Sequence, residues 1–130
     1  MSHHRHPVIS PDAPKAAGPY SHAVASGGFV FCSGQTPVDP ATGKLVEGSI
    51  GDQTQRCLEN LAIVADAAGA RLEDAVRMSI YVVDISTFPD VNEAYGSFFA
   101  SDPPARTTIG VASLPLGAQV EIDAIIAARE

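Results

Sequence analysis

The sequence predicts an α+β fold: a single mixed sheet with two helices packed on one face. Three observations predict it. Val76–Val82 and Gln119–Ile125 partly alternate apolar and polar residues, as half-buried strands do. Two other stretches repeat apolar residues at helical spacing: Cys57, Leu61, Val64 and Ala68, then Phe88, Val91, Tyr95, Phe98 and Phe99. The order is strand, strand, helix, strand, helix, strand, strand, and two helices can cover only one face of such a sheet.

In chain order, residues 1–20 are rich in Pro, Ala and Gly and read as a tail and loop ending in Gly18-Pro19-Tyr20. The tract His3-His4-Arg5-His6 reads as a disordered tail. Ala23–Ser26 and Phe29–Ser33 flank Gly27-Gly28 and predict a hairpin. Pro37 to Gly48 reads as a loop with a turn at Asp39–Gly43. A helix is expected from about Ile50 to Ala68, with Gly69 suited to the left-handed position beyond its end. Asp84 to Thr87 offers N-cap candidates for the second helix. Strands are then expected at about Thr107 to Val111 and Gln119 to Ala127. The strands Val76–Val82 and Val120–Ile126 are expected to present a second, bare apolar face, which homo-oligomerisation would cover.

At 130 residues with 45% apolar residues, the chain fits one globular domain. The net charge of -7 and the lack of any Lys/Arg cluster argue against nucleic-acid binding. No apolar run reaches the ~20 residues of a membrane span, and no signal peptide is visible, so a cytoplasmic protein with no membrane partner is expected. Cys32 and Cys57 fall on apolar stretches and read as small buried hydrophobes.

The chemistry-bearing residues sit late in the chain. Arg106 follows the stiff Pro103-Pro104 pair, and Glu121 lies in the last strand. Arg can hold a carboxylate through two parallel hydrogen bonds, and Glu can move a proton or orient a water. The alternative for the two is a structural ion pair or a solvated face. Asp123 shares a strand face with Glu121, so the carboxylates could divide acid and base roles, or Asp123 could meet an interface or water. Tyr20 could be an aromatic lid on the core, Ser33-Gly34 a bulge, and Asn92 a solvent-facing helix residue.

Gly18-Pro19-Tyr20-Ser21, Ser33-Gly34-Gln35 with Pro37, Asn92 to Tyr95, Pro104-Ala105-Arg106-Thr107 and Val120–Ala124, taken together and in order, resemble the reactive-intermediate deaminase (RidA, or YjgF) family. The resemblance runs from Gly18 to Ala127 and sets a domain at 18–130 behind a tail and loop at 1–17. It implies a fold like the chorismate mutase of bacilli, a homotrimer with sites between subunits, and no metal or organic cofactor. It implies hydrolysis of 2-enamines and 2-imines to 2-keto acids and ammonia. By position, Arg106 would clamp the substrate carboxylate and Glu121 would position water. Tyr20, Ser33, Asn92 and Thr108 would line the cleft. Thr108 stands where many members carry Cys, and Gly110 where a larger residue is common, which points towards a sister subgroup. Three other readings stand beside this one: a non-catalytic trimeric metabolite-binding module, a catabolic deaminase of aminomuconate type, and an endoribonuclease, the last disfavoured by charge.

Overall fold

The computed structural model describes residues 4–129. His6–Val8 forms a short strand, β1, where a loop is expected, pairing antiparallel with β2 (Ala23–Ser26). Pro7 lies within it, and an edge strand tolerates a residue without an N–H. Of the tract read as a disordered tail, His3 lies outside the described residues, and His6 belongs to β1. The expected hairpin joins β2 to β3 (Phe29–Gln35), and both turn glycines adopt positive φ, 61° and 86°. The loop after β3 holds a small separate hairpin, β4 (Val38–Asp39) with β5 (Lys44–Leu45). Buried Asn60 holds it, its Nδ2 donating to the Val38 carbonyl at 2.8 Å.

Helix α1 (Ile50–Ala67) starts with a capping box. Ser49 Oγ accepts from the Asp52 N–H, and the Asp52 carboxylate accepts from the Ser49 N–H. Gly69 has φ 74°, as a left-handed stop requires. Strand β6 (Ala75–Val82) leads into α2 (Phe88–Gly96) and then β7 (Ala105–Gly110), and β8 (Val120–Ala127) closes the chain. Helix α2 stops short of Phe98 and Phe99, which follow it. The main sheet has the order β1-β2-β3-β8-β6-β7. Only β6–β7 is parallel, and α2 is its crossover.

The core lies between the sheet and the helices. Strand β8 alternates strictly, with Val120, Ile122, Ala124 and Ile126 buried and Glu121, Asp123, Ile125 and Ala127 on the other face. This corrects the expectation that β6 and β8 present an apolar second face. Their apolar residues are mostly spent under the helices, and the open face carries Arg77, Ser79, Tyr81, Glu121 and Asp123 there. The apolar part of that face lies towards β3, at Phe29 and Phe31, with Ile125 and Ala127 opposite them. Phe29 and Phe31 are 40% and 45% exposed, as is Ile109 on β7 at 45%. Among the described residues no helix is long and apolar enough to cross a membrane.

Candidate active site

The site residues fall into two groups. The first surrounds Glu121 on the open face. Between Cys32 and Gln35 strand β3 advances one residue more than β8, so Ser33-Gly34 forms a bulge. The bulge brings the Gly34 backbone so close to Glu121 that a Cβ at Gly34 would overlap the carboxylate. Ser33 Oγ donates to the Ser21 carbonyl at 2.7 Å and ties the loop carrying Tyr20 to the same strand. Tyr20 is about half exposed and is no core lid; its hydroxyl accepts from the Ala17 N–H at 3.1 Å, and it borders a shallow hollow with Gly34. Buried His22 anchors this loop, Nδ1 accepting from the Ser10 N–H at 3.0 Å and Nε2 donating to the Pro14 carbonyl at 2.8 Å.

Glu121 is half-buried, and among the described residues it joins no ion pair. Burial, and then the charge of Asp123 on the same strand face, push its carboxyl above the ordinary carboxylate range. Asp123 accepts a hydrogen bond from the Tyr81 hydroxyl at 2.9 Å. Tyr81 stands directly across from Glu121 in the β6–β8 pairing.

The second group lies against α2. Arg106 pairs with Met78, whose side chain is buried beneath the helices, so Arg106 points to the helix side of the sheet. Its Nη2 donates to Asn92 Oδ1 at 2.6 Å. Its Cζ lies 5.4 Å from the Phe88 ring centre and 4.8 Å from that of Tyr95. Asn92 is therefore not a solvent-facing helix residue. Arg106, Asn92, Tyr95, Phe99, Pro103 and Pro104 border an open hollow of about 380 Å³. Thr108, two residues on, shares this side of β7, and its Oγ1 is buried without a partner among the described residues, as is the Tyr95 hydroxyl.

Arg106 and Glu121 thus do not meet within one chain. Glu121 is level with Tyr81 and hence with Ile109. Arg106 is three residues, roughly 10 Å, along β7 from that point and on the opposite face. The structural ion pair between them is ruled out by the same geometry. Phe88, Tyr95 and Gly34 also border the candidate site; the sequence places Phe88 and Tyr95 on the helix stripe, Tyr95 in the Asn92–Tyr95 motif and Gly34 in the bulge, without a place in the cleft. The spacing Phe88, Asn92, Tyr95 (i, i+4, i+7) marks one helix face and was the available signal. Cys32 and Cys57 are buried, as expected; burial pushes the Cys32 thiol up to about 12, and that of Cys57 upward too, so neither suits nucleophilic work. A Cβ at Gly110 would meet Ile85 only at an ordinary contact distance of 3.5 Å, so crowding does not require glycine there.

Two helices on a mixed sheet, with a parallel β6–α2–β7 unit ending at the Arg106 strand, define a chorismate mutase-like α+β domain. The chain belongs to the RidA/YjgF family, described as Endoribonuclease L-PSP, which matches residues 10–128. It is 40% identical over 119 residues to the 2-iminobutanoate/2-iminopropanoate deaminase of Dermatophagoides farinae, covering 92% of this chain and 93% of that one. The crystal structure of the E. coli YjgF gene product superimposes with a TM-score of 0.90 at 35% identity, covering 95% of this chain and 99% of that one. E. coli TdcF, solved with bound serine, gives a TM-score of 0.89 at 35% identity over 95% of this chain and 99% of that one.

Proposed function

We propose that this protein hydrolyses 2-imino and 2-enamino acids to 2-keto acids and ammonia, in sites shared between copies of the chain in a homotrimer. The observation that carries this reading is the state of Glu121. It is a half-buried carboxylate, closely approached by the Gly34 backbone, with no cation in reach among the described residues and its proton affinity raised. A carboxyl in that condition suits proton transfer better than structural support. Arg106 supplies the other need. Its fixed guanidinium borders an open hollow, and a planar, anionic imino acid presents a matching carboxylate. TdcF, of the same fold, was solved with serine, itself a small α-carboxylate. Because the two groups lie on opposite sides of one sheet, one copy supplies Arg106 and another Glu121. The partly apolar open face, with Phe29, Phe31 and Ile109, supplies surface for that association.

In the reaction, Arg106 holds the carboxylate. Water adds to the imine carbon while Glu121 takes its proton. The carbinolamine then receives that proton on nitrogen; as the C–N bond breaks, its hydroxyl gives its proton to Glu121 and the oxygen electrons form the keto C=O, and ammonia leaves and takes up that proton as ammonium. An enamine must first gain a proton at carbon to become the imine. Thr108 needs no nucleophilic part in this route, and no metal is called upon. The family's description carries an endoribonuclease activity, but a net charge of -7 disfavours binding a polyanion.

The test couples a dehydratase that releases 2-aminoacrylate or 2-aminocrotonate to keto-acid detection. The protein should accelerate keto-acid and ammonia formation. Arg106→Ala should lose at least ~10-fold in kcat/KM, since charge-assisted hydrogen bonds are each worth roughly 1.5–3 kcal/mol. Tight keto-acid binding without acceleration would instead make the protein a metabolite-binding module.

A further inference from the structure

We propose that Phe88 and Tyr95 are positioning residues that hold the Arg106 guanidinium in one plane, so that it takes a carboxylate edge-on. This rests on the reading of Arg106 as a carboxylate clamp. Phe88 and Tyr95 are seven residues apart on α2, two turns on the same face, or roughly 10.5 Å by helix rise. The Cζ of Arg106 lies 5.4 Å from one ring centre and 4.8 Å from the other, so the guanidinium sits within reach of both rings. The two rings differ in kind. Tyr95 is a fixed plate, only 6% exposed, packed on Phe99 with ring centres 4.8 Å apart. Phe88 is an outer plate, more than a third exposed. Asn92, between them on the helix, takes one in-plane N–H of Nη2.

Both rings lie within cation–π distance of the guanidinium, and Asn92 accepts from one of its N–H groups. What remains free is in-plane N–H groups, the geometry that a carboxylate fork needs. No carboxylate neutralises the cation: among the described residues Arg106 takes part in no ion pair. Ring faces and an amide oxygen therefore stabilise the charge without competing with an anionic ligand for it. An arginine held this way loses little side-chain entropy on binding, which favours affinity over turnover.

The probe is 2-oxobutanoate, with binding by the intact protein read by calorimetry, beside KM and kcat in the coupled assay. Tyr95→Leu should weaken binding and raise KM about five- to tenfold, with kcat nearly unchanged. Tyr95→Phe should restore both values to within about twofold, because among the described residues the Tyr95 hydroxyl has no partner to lose. Phe88→Leu, at an exposed position, makes the same measurement should Tyr95→Leu fail to fold, and KM should again rise several-fold. Wild-type affinity in both leucine variants, while Arg106→Ala abolishes binding, would overturn the proposal and leave the clamp standing. Wild-type protein that binds 2-oxobutanoate no better than Arg106→Ala would refute the clamp itself, and the proposal with it.

Discussion

Glu121 carries two linked consequences at the residue scale. Its carboxyl is pushed upward by burial first and by the charge of Asp123 second. As a base it works only when deprotonated, so kcat/KM should fall on acidification through a pKa above the usual carboxylate value of ~4.3. Glu121→Gln should abolish that limb along with most of the activity. Stability should move the other way. A folded-state pKa raised above the unfolded one means that folding favours the protonated form. The contribution is fully present below the unfolded pKa and is lost as pH rises through the folded one. At neutral pH the charged carboxylate therefore weakens the fold, and Glu121→Gln should raise Tm, with the gain closing as pH falls. A Tm below wild type at neutral pH, read by thermal melts across pH, would contradict this account of Glu121.

Elements make the site by placing such residues, and the β3 bulge shows how. Ser33-Gly34 inserts one residue against β8 and brings bare backbone to the Glu121 carboxylate. Gly34→Ala would put a methyl group where the carboxylate now sits. The carboxylate is the end of a flexible side chain, so it should swing aside and the fold should survive. Activity should drop at least ~10-fold with Tm changed little; retained activity in that variant would detach the bulge from function. Much at this scale was legible beforehand. The Gly27-Gly28 hairpin, both helices and the alternation of β8 follow from local spacing. β1 was not legible, because three residues containing Pro7 carry no strand signal until β2 is there to pair with. The cradle of Arg106 was hidden for a different reason. Phe88 and Tyr95 sit at helical spacing, and that stripe reads the same whether it packs on a sheet or flanks a cation. Arg106 and Glu121 themselves were legible as residue types in a motif, but no spacing could say that they point to opposite faces; that needed the strand register.

For the whole molecule, the register has one dominant consequence. In the proposed reading, a single chain holds two halves of a shared site, an arginine cradle on α2 and β7 and a carboxylate pocket on β3 and β8. The open face separates along the sheet into a polar band around Glu121 and an apolar patch at Phe29 and Phe31, so covering it with another copy would bury apolar area and assemble chemistry together. Light scattering at micromolar concentration should give three times the chain mass. The most direct test is complementation between two inactive variants. Arg106→Ala and Glu121→Gln, each purified and nearly inactive, are co-expressed or refolded together and assayed for keto-acid formation. In a cyclic assembly with sites shared between neighbours, random mixing gives about one site in four an intact Arg106 from one copy and an intact Glu121 from the next. About a quarter of wild-type activity should return. Mixed assemblies, confirmed by mass, that stay as inactive as their parents would show that Arg106 and Glu121 do not serve a common site between copies.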